Sequence, residues 1–183
     1  PPRWPRPPPP TPDPAVTRTS DPVLDQAVAL GIAHEVMPCD PDLADTAVFC
    51  EAYGIDPSDS ANAILVAGKP RADEPQPFAL CLVLATHRLD VNGIVRRRLG
   101  SRKASFANAD QTRSLTGMEI GGVTPFGLPE PVPIWIDSAV MDRDEVVIGG
   151  GSRDRKLRLP PGGLLALPGA EVVGDLARPA EPG

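Results

Sequence analysis

Between Gly117 and Leu128 the chain reads GMEIGGVTPFGL, with glycine at 117, 121, 122 and 127 and proline at 125. That density is incompatible with a regular strand or helix, because glycine weakens both and proline removes a backbone donor. The backbone must turn sharply here or come close to something. Two readings compete. Exposed amides of such a loop can cradle a phosphate or carboxylate, and glycine-rich turns also serve structure alone. The phosphate-loop pattern fails, since Gly122 to Gly127 runs into Leu128 and not Lys-Ser/Thr. GGGS at 149–152 likewise fails as GxGxxG.

The segments on either side alternate irregularly between helical and strand periods. Ser20 can cap a helix with Pro22 in its first turn and Val23, Leu24, Ala27, Val28 and Leu30 as its apolar positions, stopped by Gly31. A short strand over 33–37 follows, then a helix from Asp42 to Tyr53 ended by Gly54. Apolar runs at 63–67 and 78–85 form a hairpin joined by KPRADEPQP. Asp90 caps a helix running to Leu99, and a further helix spans 108–115. Strands at 133–136, 145–148, 156–159 and 171–173, with a short Pro-capped helix near Leu164, complete the pattern. No strict βαβ beat or internal repeat appears, so the expected class is α+β. The sheet is mixed, mainly antiparallel and partly barrel-like, with flanking helices.

Residues 1–19 are expected to be a disordered tail, because PPRWPRPPPPTPDP has few amide donors and little apolar mass. Such a tail is either a bland extension or a ligand for a partner's aromatic groove. The globular domain is expected over 20–177, with 178–183 as a second tail. At 183 residues with 41% hydrophobic and 23% charged content, the chain can bury an ordinary core. No apolar run nears the roughly 20 residues of a membrane helix, and no signal-peptide pattern opens the chain, which makes the expected address cytoplasmic. Cys39, Cys50 and Cys81 form no CxxC pair and read as reduced, buried thiols. His34 and Cys39 lack further ligands at metal spacing, so neither a metal nor an organic cofactor is expected.

The net charge of −6 argues against wholesale nucleic-acid binding, but local patches decide such contacts. Between residues 88 and 103 the chain carries Arg88, Arg96, Arg97, Arg98, Arg102 and Lys103 against Asp90 alone. This basic stretch is either a solvated helix face or a phosphate-contacting one. His87 reads as a local hydrogen-bonding residue.

LTGMEIGGVTPFGLP resembles the signature loop of the YbaK/EbsC family, which includes the editing domain of bacterial prolyl-tRNA synthetases. The similarity extends through IDPSDSANAILV, LCLVLATHRLDVNGIVRRRLGSRKASFA, IWIDSAV and VVIGGGSRD in consistent order. The resemblance implies a mixed α+β domain that hydrolyses the ester joining a wrong amino acid to tRNA. It also implies a pocket for the aminoacyl group and terminal adenosine walled by the loop backbone, with an adenosine hydroxyl helping to position water. The loop's catalytic share falls on Gly121 and Gly122, and its substrate-binding share on Val123, Thr124, Pro125, Phe126 and Gly127. Asp137 matches an acidic pocket position; read from the residues alone, it equally caps a turn at a strand end. Arg96, Arg97, Arg98, Arg102 and Lys103 are the expected contacts to tRNA, the acceptor end of which is the partner.

One position departs from the family pattern. Its usual essential lysine aligns with Asn62, and an amide cannot supply the charge of an ammonium. Lys69 is a poor substitute, because seven strand residues span about 23 Å and odd spacing points the side chain to the other face. The expectation is therefore an aminoacyl-tRNA deacylase acting in trans with Asn62 in a catalytic role. The alternative is a catalytically silent module that binds an amino acid or aminoacyl-tRNA.

Overall fold

The computed structural model describes residues 20–181, so the expected tail at 1–19 lies outside the described residues. Helix α1 (Pro22–Ala29) is capped by Asp21, not Ser20: the Asp21 carboxylate accepts from the amides of Val23 and Leu24. Ser20 turns its hydroxyl to Asp25. Strand β1 (Glu35–Pro38) leads through a 3-10 turn at Pro41–Leu43 into α2 (Thr46–Tyr53), which Gly54 ends in the left-handed region. The single helix expected over 42–53 is thus two pieces, broken at Asp45, which precedes the second in extended backbone without a side-chain cap bond.

The hairpin strands are β2 (Ala61–Gly68) and β3 (Phe78–Leu84), paired antiparallel with Asn62 opposite Val83. Next come β4 (His87–Leu89) and the Asp90-capped segment, which is a π turn at Val91–Val95 followed by α3 (Arg96–Arg98). Strand β5 (Ala104–Phe106) precedes α4 (Ala109–Thr116), where Asn108 and Gln111 form a capping box. Beyond the glycine loop lie β6 (Ile134–Asp137), α5 (Ser138–Met141), β7 (Val146–Gly149), β8 (Arg155–Leu159), β9 (Ala170–Val173) and β10 (Ala177–Pro179).

The strands form three sheets, ordered β5-β2-β3-β6-β9, β1-β8-β7 and β10-β4. Among the described strand pairs β3–β6 and β6–β9 run parallel and the rest antiparallel, so the sheet system is mixed and mainly antiparallel; the described residues close no barrel. Strand β10 pairs with β4 through Pro179, which carries the folded domain past the boundary expected at residue 177.

The continuous apolar run of β3 follows from burial on both faces. Leu80, Leu82 and Leu84 point into the main core, shared with Ile134 and Ile136 of β6, Ile148 of β7 and Leu157 and Leu159 of β8. Ala79, Cys81 and Val83 point the other way, into a second cluster with Trp135 of β6 and Val95 of the arginine segment. Each such leucine contributes about 1.5–3 kcal/mol when fully buried. The Cys81 thiol lies in this apolar layer, and burial pushes its pKa up to about 12. None of the described helices is long and apolar enough to cross a membrane.

Candidate active site

The five-stranded and three-stranded sheets meet where the edge of β2 approaches β7, marked by a bridge between Ser60 and Val147. A cavity of about 280 Å³ opens at that junction, lined by residues including Asp45, Thr46, Asn62, Gly121, Val123 and Lys156. Its volume suits a small ligand moiety.

Asn62, Ile64 and Val66 share one face of β2 by strand alternation. Ile64 and Val66 pack against Val91, Ile94, Val95 and Leu99 of the arginine segment, whereas Asn62, nearer the start of the strand, lines the cavity. The hydroxyl of Thr46, first residue of α2, donates to Oδ1 of Asn62. That bond fixes the amide with its nitrogen, a two-proton donor, unspent on any described residue.

The opposite wall is the glycine loop, and two close approaches explain its composition. Gly121 has φ +95°, and a Cβ there would lie 2.2 Å from Nη1 of Arg153. That guanidinium donates to Ile120 O at 2.7 Å and Asp45 Oδ1 at 3.1 Å, tying the loop to the start of α2. Gly149, at the end of β7, lies so close to the loop that a Cβ would meet Val123 O at 2.0 Å. The Gly151 amide donates to Gly122 O at 2.8 Å. The two glycine-rich segments, GMEIGGVTPFGL and GGGS, are therefore packed backbone to backbone.

Between them lies a group that sequence reasoning missed. Lys156 of β8 is only 5% exposed, and its Nζ donates to Ala44 O at 2.6 Å and Gly121 O at 2.8 Å. The ammonium sits 5.3 Å from the centre of the Phe49 ring. No described carboxylate forms an ion pair with it. Burial draws its pKa below the ordinary lysine value.

Of the expected loop residues, Gly121 and Val123 join Asn62 in the cavity, and Gly122 is buried behind them against the Ser152 backbone. Residues 124–127 instead anchor the loop. Thr124 and Phe126 are fully buried, Phe126 within the main core, and Pro125 lines a separate groove with Leu128 and Trp135. Gly127 lies against α1, with its amide donating to Gln26 Oε1 at 2.7 Å. Phe126 is drawn into the core and Pro125 into the separate groove, which leaves the cavity wall to the first half of the loop.

Asp137 does not line this cavity. It is 2% exposed and accepts from the amides of Ala139 at 3.0 Å and Ala177 at 2.9 Å, so it caps α5 and holds the start of β10. The turn-capping alternative is the one the structure adopts.

The basic stretch divides in the same way. Arg98 pairs with Glu171 at 2.6 Å and stacks 4.9 Å from the Trp135 ring centre, while Arg96 donates to Asn92 O. Arg97 is exposed. Arg102 and Lys103 line a wide surface depression together with Lys69 and Arg71. Among the described residues, no group of three or more His, Cys, Asp or Glu could hold a metal ion.

The family model of the aminoacyl-tRNA editing domain matches residues 40–167 of the chain. Proline–tRNA ligase of Bacillus licheniformis is 31% identical over 102 residues, covering 55% of this chain but 16% of the ligase. A solved structure described as a candidate trans-editing enzyme for prolyl tRNA synthetase superposes with TM-score 0.70 at 27% identity, covering 83% of this chain and 92% of that one. A hypothetical protein superposes with TM-score 0.74 at 22% identity over 86% of this chain and 100% of that one, a likeness of fold alone.

Proposed function

The chain belongs to the aminoacyl-tRNA editing-domain family, and on that premise we propose that it hydrolyses the ester of mischarged aminoacyl-tRNA in trans. One observation carries the reading: Asn62, Gly121 and Val123 line a single cavity of about 280 Å³.

In the proposed reaction the acceptor end places the aminoacyl group in this cavity. Water adds to the ester carbonyl carbon, and a hydroxyl of the terminal adenosine orients it. The bond from that carbon to the ribose oxygen then breaks, the ribose oxygen takes a proton, and free amino acid and tRNA leave. The Asn62 amide nitrogen donates to the bound ribose end. Rigid loop backbone, locked by the Gly149–Val123 approach, excludes larger side chains by sterics. Size selection is worth only about 1–3 kcal/mol per methylene, which is the margin that makes a separate editing step useful. The exposed Arg97, with Arg102 and Lys103, supplies the cations for tRNA phosphates. The reaction belongs in the cytoplasm, where tRNA is charged.

A silent binding module is the rival reading, and Asn62 in place of the family's lysine favours it. Incubating the purified protein with a panel of mischarged tRNAs separates the two. Accelerated deacylation of at least one species supports the hydrolase, whereas binding without deacylation supports the module.

A further inference from the structure

A buried ammonium without a carboxylate partner is costly, because desolvation is offset only by dipoles. Lys156 is such a group, held by two backbone carbonyls, Ala44 O and Gly121 O. An ammonium has three N–H donors, so one remains, and the side chain lines the same cavity as Asn62. On β2 the cavity meets Asn62, a neutral amide. A cation is nevertheless present in the pocket, contributed by β8 and not β2.

The charges around the cavity also orient a ligand. Asp45 lines it as well, with Oδ1 engaged by Arg153. The α-ammonium of an aminoacyl ester would be repelled by Lys156 and matched by Asp45, an arrangement that would turn the acyl oxygen towards Lys156. Resting on the editing reading above, we propose that Lys156 contacts the substrate, its third N–H donating to the acyl carbonyl oxygen and supplying the charge that Asn62 lacks.

During hydrolysis negative charge develops on that oxygen, and a buried ammonium held in place by two carbonyls stabilises it without reorganisation. The groups that set the protonation of Lys156 are Cys39, Asp45 and Cys50, which hold its proton, and Arg153, which opposes it; burial outweighs them and lowers the pKa. The acyl contact is therefore expected to weaken with rising pH before an ordinary lysine would titrate.

The test uses alanine joined by an amide to 3′-amino-3′-deoxyadenosine, a probe that cannot be hydrolysed, with unacylated 3′-amino-3′-deoxyadenosine as control. In the wild-type protein the Lys156 side-chain nitrogen resonance, assigned by its loss in Lys156→Gln or Lys156→Arg, shifts with the acylated probe and not with the control. The same variants are then assayed with alanyl-tRNA. Lys156→Gln is expected to lower kcat about 10²-fold with KM changed less than about threefold, the size seen for loss of one oxyanion donor. Lys156→Arg retains charge and recovers part of the rate. An unmoved resonance, or wild-type kcat in a folded Lys156→Gln variant, overturns the proposal. Deacylation alongside an unmoved resonance would leave the editing reading intact and remove Lys156 from it. A shifted resonance without deacylation would support the lysine contact and remove the hydrolase.

Discussion

Thr46 Oγ1 donates a hydrogen bond to Asn62 Oδ1, joining the first turn of α2 to the start of β2 across 16 residues of sequence. That bond orders the one polar side chain that β2 presents to the cavity and directs the amide's remaining capacity towards donation. Asn62→Ala should remove one neutral hydrogen bond to substrate, worth about 0.5–1.5 kcal/mol, and slow deacylation roughly three- to tenfold. Thr46→Val should produce a smaller slowing in the same direction. Single-turnover rates of both variants check the pair, and a larger effect from Thr46 than from Asn62 would show that the hydroxyl itself meets the substrate.

The interlocked glycines set a harsher limit. A Cβ at Gly149 would come within 2.0 Å of Val123 O, which is backbone and cannot swing aside. Gly149→Ala should therefore displace the loop and cost about 1–3 kcal/mol of stability, the usual penalty of overpacking. Its deacylation rate should fall further than that of Asn62→Ala. Melting curves and rates measured together test this.

Arg97 and Arg98 should separate cleanly although they are neighbours. Arg97→Ala should reduce the salt dependence of tRNA binding by roughly one unit of slope, as for one lost phosphate contact. Arg98 is held by Glu171 and Trp135. Arg98→Ala should leave that slope nearly unchanged and cost about 0.5–1 kcal/mol of stability, chiefly the cation–π contact. Equal slopes for both variants and wild type would make this face a solvated one.

Asp21 gives the fold an acid-sensitive point. Arg155 Nη1 lies 2.5 Å from Asp21 Oδ2, and that bond, aided by the Val23 and Leu24 amides, holds the carboxyl below its ordinary pKa. A carboxyl depressed in the folded state contributes stability above its unfolded pKa and loses it as pH falls through the folded value. Asp21→Ala should cost about 1 kcal/mol near neutral pH, as for other lost helix caps. The difference from wild type should shrink as pH drops below the ordinary carboxylate range, which parallel thermal melts at several pH values would reveal.

Much of this architecture was legible because local signals and tertiary demand agree. The β3 run FALCLVL, the helical period over 108–115 and the stop at Gly54 each specify the element observed. The glycine loop was conspicuous, but sequence could not divide it into a cavity-facing half and a core-anchoring half, because the division depends on α1 packing against Gly127. Asp137 supported two roles until β10 was visible, and three residues of β10 carry too little pattern to be read as a strand. Lys156 was hidden for a plainer reason. RKLRL alternates as a strand with one wet face, and only the long-range placement of Ala44 and Phe49 covers that face at Lys156.

The most direct test of a size-selective editing pocket is the deacylation rate of one tRNA species charged in turn with alanine, serine, leucine and phenylalanine. The account predicts that the protein accelerates loss of the small residues well above the spontaneous rate and leaves the leucyl and phenylalanyl esters at background. Equal acceleration of all four, or none of any in a folded protein that binds the tRNA, would contradict it.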